Sequence, residues 1–155
     1  MPDPTANDCI VCRKQRGEVS LFGGFIYEDE LIAISHSLFW REETTHYLGH
    51  LFIETKRHVA EYADLTDDEA QRIGLYIKRV SQALLNSLDM DHVYAFMIVD
   101  GVPHMHVHVI GRYRGAPRAY WGSKVDEWPD APKGDKSEIE QLAFKLRENL
   151  NSNYS

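Results

Sequence analysis

His104-Met105-His106-Val107-His108-Val109-Ile110 is the stretch that decides how this chain is read. Side chains alternate faces along a β-strand, so the three imidazoles share one face about 6.7 Å apart, while Met105, Val107 and Val109 line the other. The apolar face suits packing on a core. The imidazole face is poor material for stability alone, because histidine is a weak strand former and neighbouring imidazoles oppose each other's protonation. The outer two rings stand about 13 Å apart along the strand, too far for all three to converge on one ion at a Zn–N distance of about 2.0–2.1 Å. A division of labour fits better, with one histidine as metal ligand, one as nucleophile and one holding an anion. The nucleophile's role suits a neutral imidazole near pH 7, provided a hydrogen bond at its other nitrogen fixes the tautomer. An exposed polar face that happens to be histidine is the plain alternative.

Working outward, Asp100-Gly101-Val102-Pro103 reads as the turn between this strand (Met105–Tyr113) and another over Val93–Val99. Before them, Thr66 and Glu69 form a capping box. Ile73, Ile77, Val80, Leu84 and Leu88 recur at three- and four-residue steps, which predicts a helix over Asp67–Leu88. His50–Glu54 reads as a strand, and Val19–Ile34 as two short strands, Phe25-Ile26-Tyr27 and Leu31–Ile34, with Glu28–Glu30 turning between them. The stretch His36–Gly49 reads as a loop, and Gly115–Gly134 as irregular chain. Ser137 with Glu140 opens a final helix along Ile139, Leu142, Leu146 and Leu150. Strands on both sides of one long helix predict an α+β class with a mainly antiparallel sheet.

At 155 residues the chain fits one domain (residues 1–155), with an N-terminal arm over 1–18 and a C-terminal wrap and helix over 114–155. Its 43% hydrophobic and 26% charged residues exclude collagen-like, low-complexity and disordered classes. The net charge of −7 argues against a broad grip on a nucleic-acid backbone, yet leaves room for one small anion. No apolar run has the ~18–20 residues of a membrane span, and the start MPDPTANDCIVC has no secretory pattern, so a cytoplasmic protein is expected. Cys9 and Cys12 cannot make a disulfide framework. Their spacing suits a metal knuckle, a redox pair or two plain thiols. The thioredoxin-like context is missing, since no strand precedes Cys9 and residues 13–17 do not continue as an amphipathic helix.

His104–Ile110 matches the His-φ-His-φ-His-φ-φ signature of the histidine triad (HIT) family of nucleotide hydrolases and transferases. Gly49-His50-Leu51-Phe52-Ile53-Glu54-Thr55-Lys56-Arg57-His58 resembles that family's Gly-His-x-x-(Val/Ile)-x-Pro-Lys-x-His strand, with Thr55 where proline is usual. The resemblance runs from about Cys9 to Tyr113. It implies an about five-stranded antiparallel sheet with a long helix and a C-terminal helix, commonly paired into a homodimer. It implies that His106 attacks the α-phosphorus of a nucleotide to form a nucleotidyl-histidine, which water or another acceptor resolves, and that His108 holds the phosphate. It also implies a structural zinc held by Cys9, Cys12, His58 and His104, with His50 as the next-best fourth ligand. The implied substrate is a purine nucleotide, either a phosphoramidate or a dinucleoside polyphosphate such as diadenosine tetraphosphate. A transferase with the same intermediate, a non-catalytic nucleotide sensor, and an enzyme with a catalytic metal at His104 and His106 are the rival readings.

The chain departs from the family pattern in two further places. Asp100–Pro103 has no hydroxyl or amide side chain where a phosphate-holding Gly-x-(Ser/Thr) element is usual, leaving Gly101 to bring backbone close to phosphate. Ser35-His36-Ser37 stands where a ribose-binding Asp or Asn is usual, which makes His36 the replacement candidate. After the triad, Arg112, Arg114 and Arg118 form a basic group suited to polyphosphate or leaving-group contacts. Trp121 is a candidate for the pocket and Trp128 for the core. Phe39 and Trp40 suit either stacking on a base or a dimer interface.

Overall fold

The computed structural model describes residues 8–39 and 42–154. A short helix α1 (Ile10–Gln15) precedes the strands β1 (Tyr27–Glu28), β2 (Ile32–His36), β3 (His46–Tyr47) and β4 (His50–Thr55). The long helix α2 (Asp67–Ser87) follows, then β5 (Met90–Phe96), β6 (His106–Tyr113), the short β7 (Lys133–Gly134) and α3 (Lys136–Tyr154). Five strands pair antiparallel in the order β1-β2-β4-β6-β5, as the α+β reading expects. β3 and β7 form a separate two-stranded ribbon that ties the loop after β2 to the C-terminal segment.

The alternation predicted for the histidine strand holds from His106 on, where β6 begins. Val107 and Val109 of β6, Leu51 and Ile53 of β4, and Ile32 and Ile34 of β2 are buried on one face of the sheet. α2 covers that face with Ile73, Tyr76, Val80, Ala83 and Leu84, and α3 packs on α2 with Leu142, Ala143, Leu146 and Leu150. Each fully buried aliphatic side chain there contributes about 1.5–3 kcal/mol. The other face carries His50, Phe52 and Glu54 of β4 beside His106 and His108 of β6. Gly49 lies directly before β4. Its φ is +97°, and a Cβ there would come within 2.5 Å of Met90 Cε.

The capping box of α2 is present: the Thr66 hydroxyl accepts from Glu69 N–H at 3.1 Å, and the Glu69 carboxylate accepts from Thr66 N–H at 3.0 Å. Three local expectations are corrected. The final helix is opened by Asp135, whose carboxylate accepts from Glu138 N–H at 2.9 Å, rather than by Ser137. Both pairs satisfy the capping pattern, and the earlier one lengthens the helix by two residues. Residues Ile10–Gln15 do form a helix, so the chain continues helically past Cys12 as far as Gln15, against the expectation for residues 13–17. Within the stretch expected as loop, His46–Tyr47 pairs with Lys133–Gly134. Among the described residues no helix is long and apolar enough to cross a membrane.

Candidate active site and metal centre

α1 begins at the N-cap Cys9, which puts Cys9 and Cys12 one turn apart on the same side of the helix. That side faces His58, just past β4, and His104, just before β6. Cys9 Sγ lies 3.3 Å from His104 Nδ1, while Cys12 Sγ lies 3.5 Å from both His58 Nδ1 and His104 Nδ1. The two Nδ1 atoms are 3.2 Å apart, and all four ligand atoms fall within 4.8 Å of one another. Ligands at Zn–S of about 2.3 Å and Zn–N of about 2.0–2.1 Å in a tetrahedron stand about 3.3–3.7 Å apart, so the donor set and its spacing fit zinc. His104 donates its other ring N–H to Thr55 O at 2.7 Å, the outer-shell bond that fixes a ligating histidine's tautomer. Burial holds His104 neutral, down to about 4, and pushes the Cys12 thiol up to about 11. A cation among these groups reverses that preference for the thiol. His50 is not part of this cluster: its Nε2 lies 2.9 Å from His108 Nδ1.

His104 therefore leaves the imidazole row to face α1, and its carbonyl serves the next histidine. His106 Nδ1–H donates to His104 O at 2.6 Å. A carbonyl only accepts, so the proton sits on Nδ1 and the lone pair on Nε2. His108 stacks on Phe96 at 4.7 Å between centroids and meets Phe52 at 4.8 Å. Burial, then the neighbouring His106, lowers it to about 4; His50 is lowered well below the ordinary value, first by burial and then by His108. Both rings are neutral at pH 7. His50 Nδ1 is buried without a partner, so a proton there would be an unpaired donor. The assignment that avoids this puts the proton on His50 Nε2, donating to His108 Nδ1, and leaves His108 with its own proton on Nε2.

His106 borders a cavity of about 350 Å³ between α1 and the open face of the sheet. Its walls include Ile10, Val11 and Lys14 of α1, Phe52 and Glu54 of β4, and Val102 of the turn before the triad. Four further atoms or groups at the cavity are polar and unsatisfied: Ser37 Oγ, His46 Nε2, His50 Nδ1 and Glu54 Oε2 are buried without hydrogen-bond partners. Lys14 pairs with Glu54 Oε1 inside this wall, with Lys14 6% and Glu54 1% exposed. Neither residue was picked out from the sequence. Glu54 had a signal, a charge at the alternating position shared with His50 and Phe52; Lys14 had none until residues 10–15 are known to be helical.

Gly101 is exposed, has no left-handed φ, and a Cβ there would meet open space, so the fold itself does not require glycine at that position. His36 is corrected. It is buried on the helix-side face opposite Leu51, its Nδ1 bonds Ser37 O at 2.9 Å, and its Nε2 accepts from Gly49 N–H at 3.1 Å. Ser37, one residue on, faces the cavity in its place. Arg112 and Trp121 lie apart from the cavity. Arg112 bonds Asp91 at 3.0 Å and the Tyr94 hydroxyl at 2.9 Å, and stacks 3.7 Å over the Trp121 ring. Arg118 covers that ring at 4.9 Å, and Arg114 pairs with Asp89 at 3.1 Å. Trp128 packs on the core as expected. Phe39 meets Phe22 at 4.7 Å, and Trp40 lies outside the described residues.

Two stability predictions arise here. Lys14→Met strands a buried carboxylate, so unfolding free energy is expected to fall by about 3–5 kcal/mol. Pairing it with Glu54→Leu should restore most of that loss, as urea denaturation of both variants will measure. The second prediction concerns acid. His36 is held down to about 4, first by burial, so between pH 6.5 and about 4 the unfolded chain binds a proton that the folded chain refuses. Stability is then full above pH 6.5 and falls on acidification, by up to about 1.4 kcal/mol per pH unit for this one histidine. Urea denaturation across that range should give a shallower slope for His36→Gln.

Residues 24–115 match the family model described as HIT domain, over half of the chain. An uncharacterised HIT-like protein of Methanocaldococcus jannaschii is 28% identical over 115 residues, 69% of this chain and 81% of that protein. Among solved structures, a hypothetical histidine triad nucleotide-binding protein of Sulfolobus tokodaii shares the fold with a TM-score of 0.70 at 22% identity, covering 93% of each chain. A zinc-bound histidine triad family protein of Mycobacterium smegmatis does so with a TM-score of 0.68 at 22% identity, covering 95% of this chain and 98% of that one. With its triad strand, sheet order and family match in agreement, this chain belongs to the HIT family.

Proposed function

We propose that this protein hydrolyses a purine nucleotide at its α-phosphate through a covalent intermediate on His106. The observation that carries this reading is the His106 Nδ1–H bond to His104 O at 2.6 Å. It leaves Nε2 with a lone pair at the edge of a cavity that holds buried, unsatisfied polar atoms. In the first step Nε2 attacks the α-phosphorus, a P–N bond forms, and the bond to the leaving group on the opposite side breaks. The imidazole becomes cationic, and its Nδ1–H bond to the carbonyl strengthens as a charge-assisted one. His108 Nε2–H donates to a phosphoryl oxygen, where charge develops. Water then attacks phosphorus in line and gives up a proton to solvent, the P–Nε2 bond breaks with its electron pair returning to Nε2, and a nucleoside monophosphate leaves.

Zinc held by Cys9, Cys12, His58 and His104 is structural in this reading: when bound it cross-links α1 to the ends of β4 and β6. The relatives named as nucleotide-binding and zinc-bound support both parts. A transferase would share the intermediate and differ only in the acceptor. The lack of a side-chain donor in Asp100–Pro103 favours a second reading, a nucleotide sensor that binds without turnover. A screen of nucleoside phosphoramidates and dinucleoside polyphosphates, with and without added phosphate or sugar phosphate, separates these. Hydrolysis is expected, and binding of nucleoside monophosphate with no turnover of any substrate would replace the hydrolase with the sensor.

A further inference from the structure

We propose that Glu54, charge-balanced by Lys14, is the acceptor for the ribose hydroxyls of the nucleotide, and so makes this site specific for ribonucleotides. The inference rests on the nucleotide reading above and names what recognises the sugar. Glu54 is the cross-strand partner of His106. Directly opposed residues of an antiparallel pair point to one face with Cα atoms about 4.5–5.5 Å apart. Glu54 therefore serves whatever part of a ligand adjoins the reacting phosphorus. Its Oε1 is taken by Lys14, and its Oε2 is buried without a partner at the cavity wall.

A carboxylate accepts hydrogen bonds and repels phosphate, and Lys14 is already committed to it, so the pair offers no net charge to an anion. The group it fits is a neutral O–H or N–H donor. In a nucleoside 5′-phosphate the sugar lies between phosphorus and base, which makes the 2′- and 3′-hydroxyls the donors nearest phosphorus. Ile10, Val11 and Phe52 leave the rest of the nearby wall apolar, so a lost hydroxyl would not be compensated there.

The test is calorimetric titration of the zinc-loaded, full-length protein with AMP or GMP, whichever binds more tightly, and with its 2′-deoxy and 3′-deoxy counterparts. Wild type is expected to bind the ribonucleotide about tenfold or more tightly than either deoxy form, the scale of one charge-assisted hydrogen bond. Glu54→Gln and the double change Lys14→Met with Glu54→Leu should bring the ratio to within about twofold. The double change replaces the pair with apolar groups and so keeps the test open if the single change folds poorly. Equal binding of ribo and deoxy forms by wild type, or an undiminished preference in the double variant, would overturn the proposal. Ribose discrimination without turnover would sink the hydrolase alone, whereas hydrolysis indifferent to the sugar hydroxyls would sink this proposal alone.

Discussion

Replacing His106 with asparagine is expected to lower kcat on a nucleoside phosphoramidate by about 10⁴-fold or more, while AMP affinity stays within a few-fold. Asparagine keeps a polar group near the same place but has no nitrogen lone pair able to bond phosphorus. The two-step route is then closed and only direct attack by water remains. His108→Gln should cost less, about 10²–10³-fold, because it removes one N–H donor to the phosphoryl oxygens and leaves the nucleophile in place. Rapid-quench kinetics with intact-mass detection check both. Wild type should show one nucleotidyl group per chain early in turnover, and the His106 variant none. Undiminished turnover by the His106 variant would leave the covalent route without support.

The second large effect is expected from the metal centre. Wild type should carry one zinc per chain after dialysis, and Cys12→Ala almost none. A metal present at a thousandfold its Kd adds about 4 kcal/mol to stability. At about 2–4 °C per kcal/mol for a chain of this size, chelation or Cys12→Ala should lower Tm by roughly 8–16 °C. The same change should also reach the cavity. α1 carries Cys9 and Cys12 on one side and supplies Ile10, Val11 and Lys14 to the cavity wall. Loss of its anchor is therefore expected to raise KM more than it lowers kcat, since His106 stays on β6. Elemental analysis, thermal denaturation and steady-state kinetics on the same preparation separate these effects, and full zinc in Cys12→Ala would exclude the ligand set.

Sequence by itself was enough wherever a rule acts over a few residues. Alternation along Met105–Val109 put the histidines and the core residues on opposite faces. Thr66 and Glu69 marked the start of α2 and its apolar period ran the length of the helix, because capping and periodicity are properties of neighbouring positions. The four residues of the candidate metal centre were also legible, as a spacing of cysteines plus a family resemblance. Their convergence to 3.2–3.5 Å is a property of the folded chain.

Tertiary structure decided the rest. His36 and Ser37 differ by one position, and in a strand that single step moves a side chain to the opposite face; only pairing with β4 shows that His36 faces α2 and Ser37 the cavity. α1 is six residues long and has no side-chain cap, so it carries almost no local signal and depends on tertiary contacts such as those of Lys14 and Gln15 with Glu54 and Thr55 of β4. Lys14 and Glu54 are forty positions apart. Each alone reads as a solvated charge, and burial of either becomes tolerable only when the fold brings the other to it.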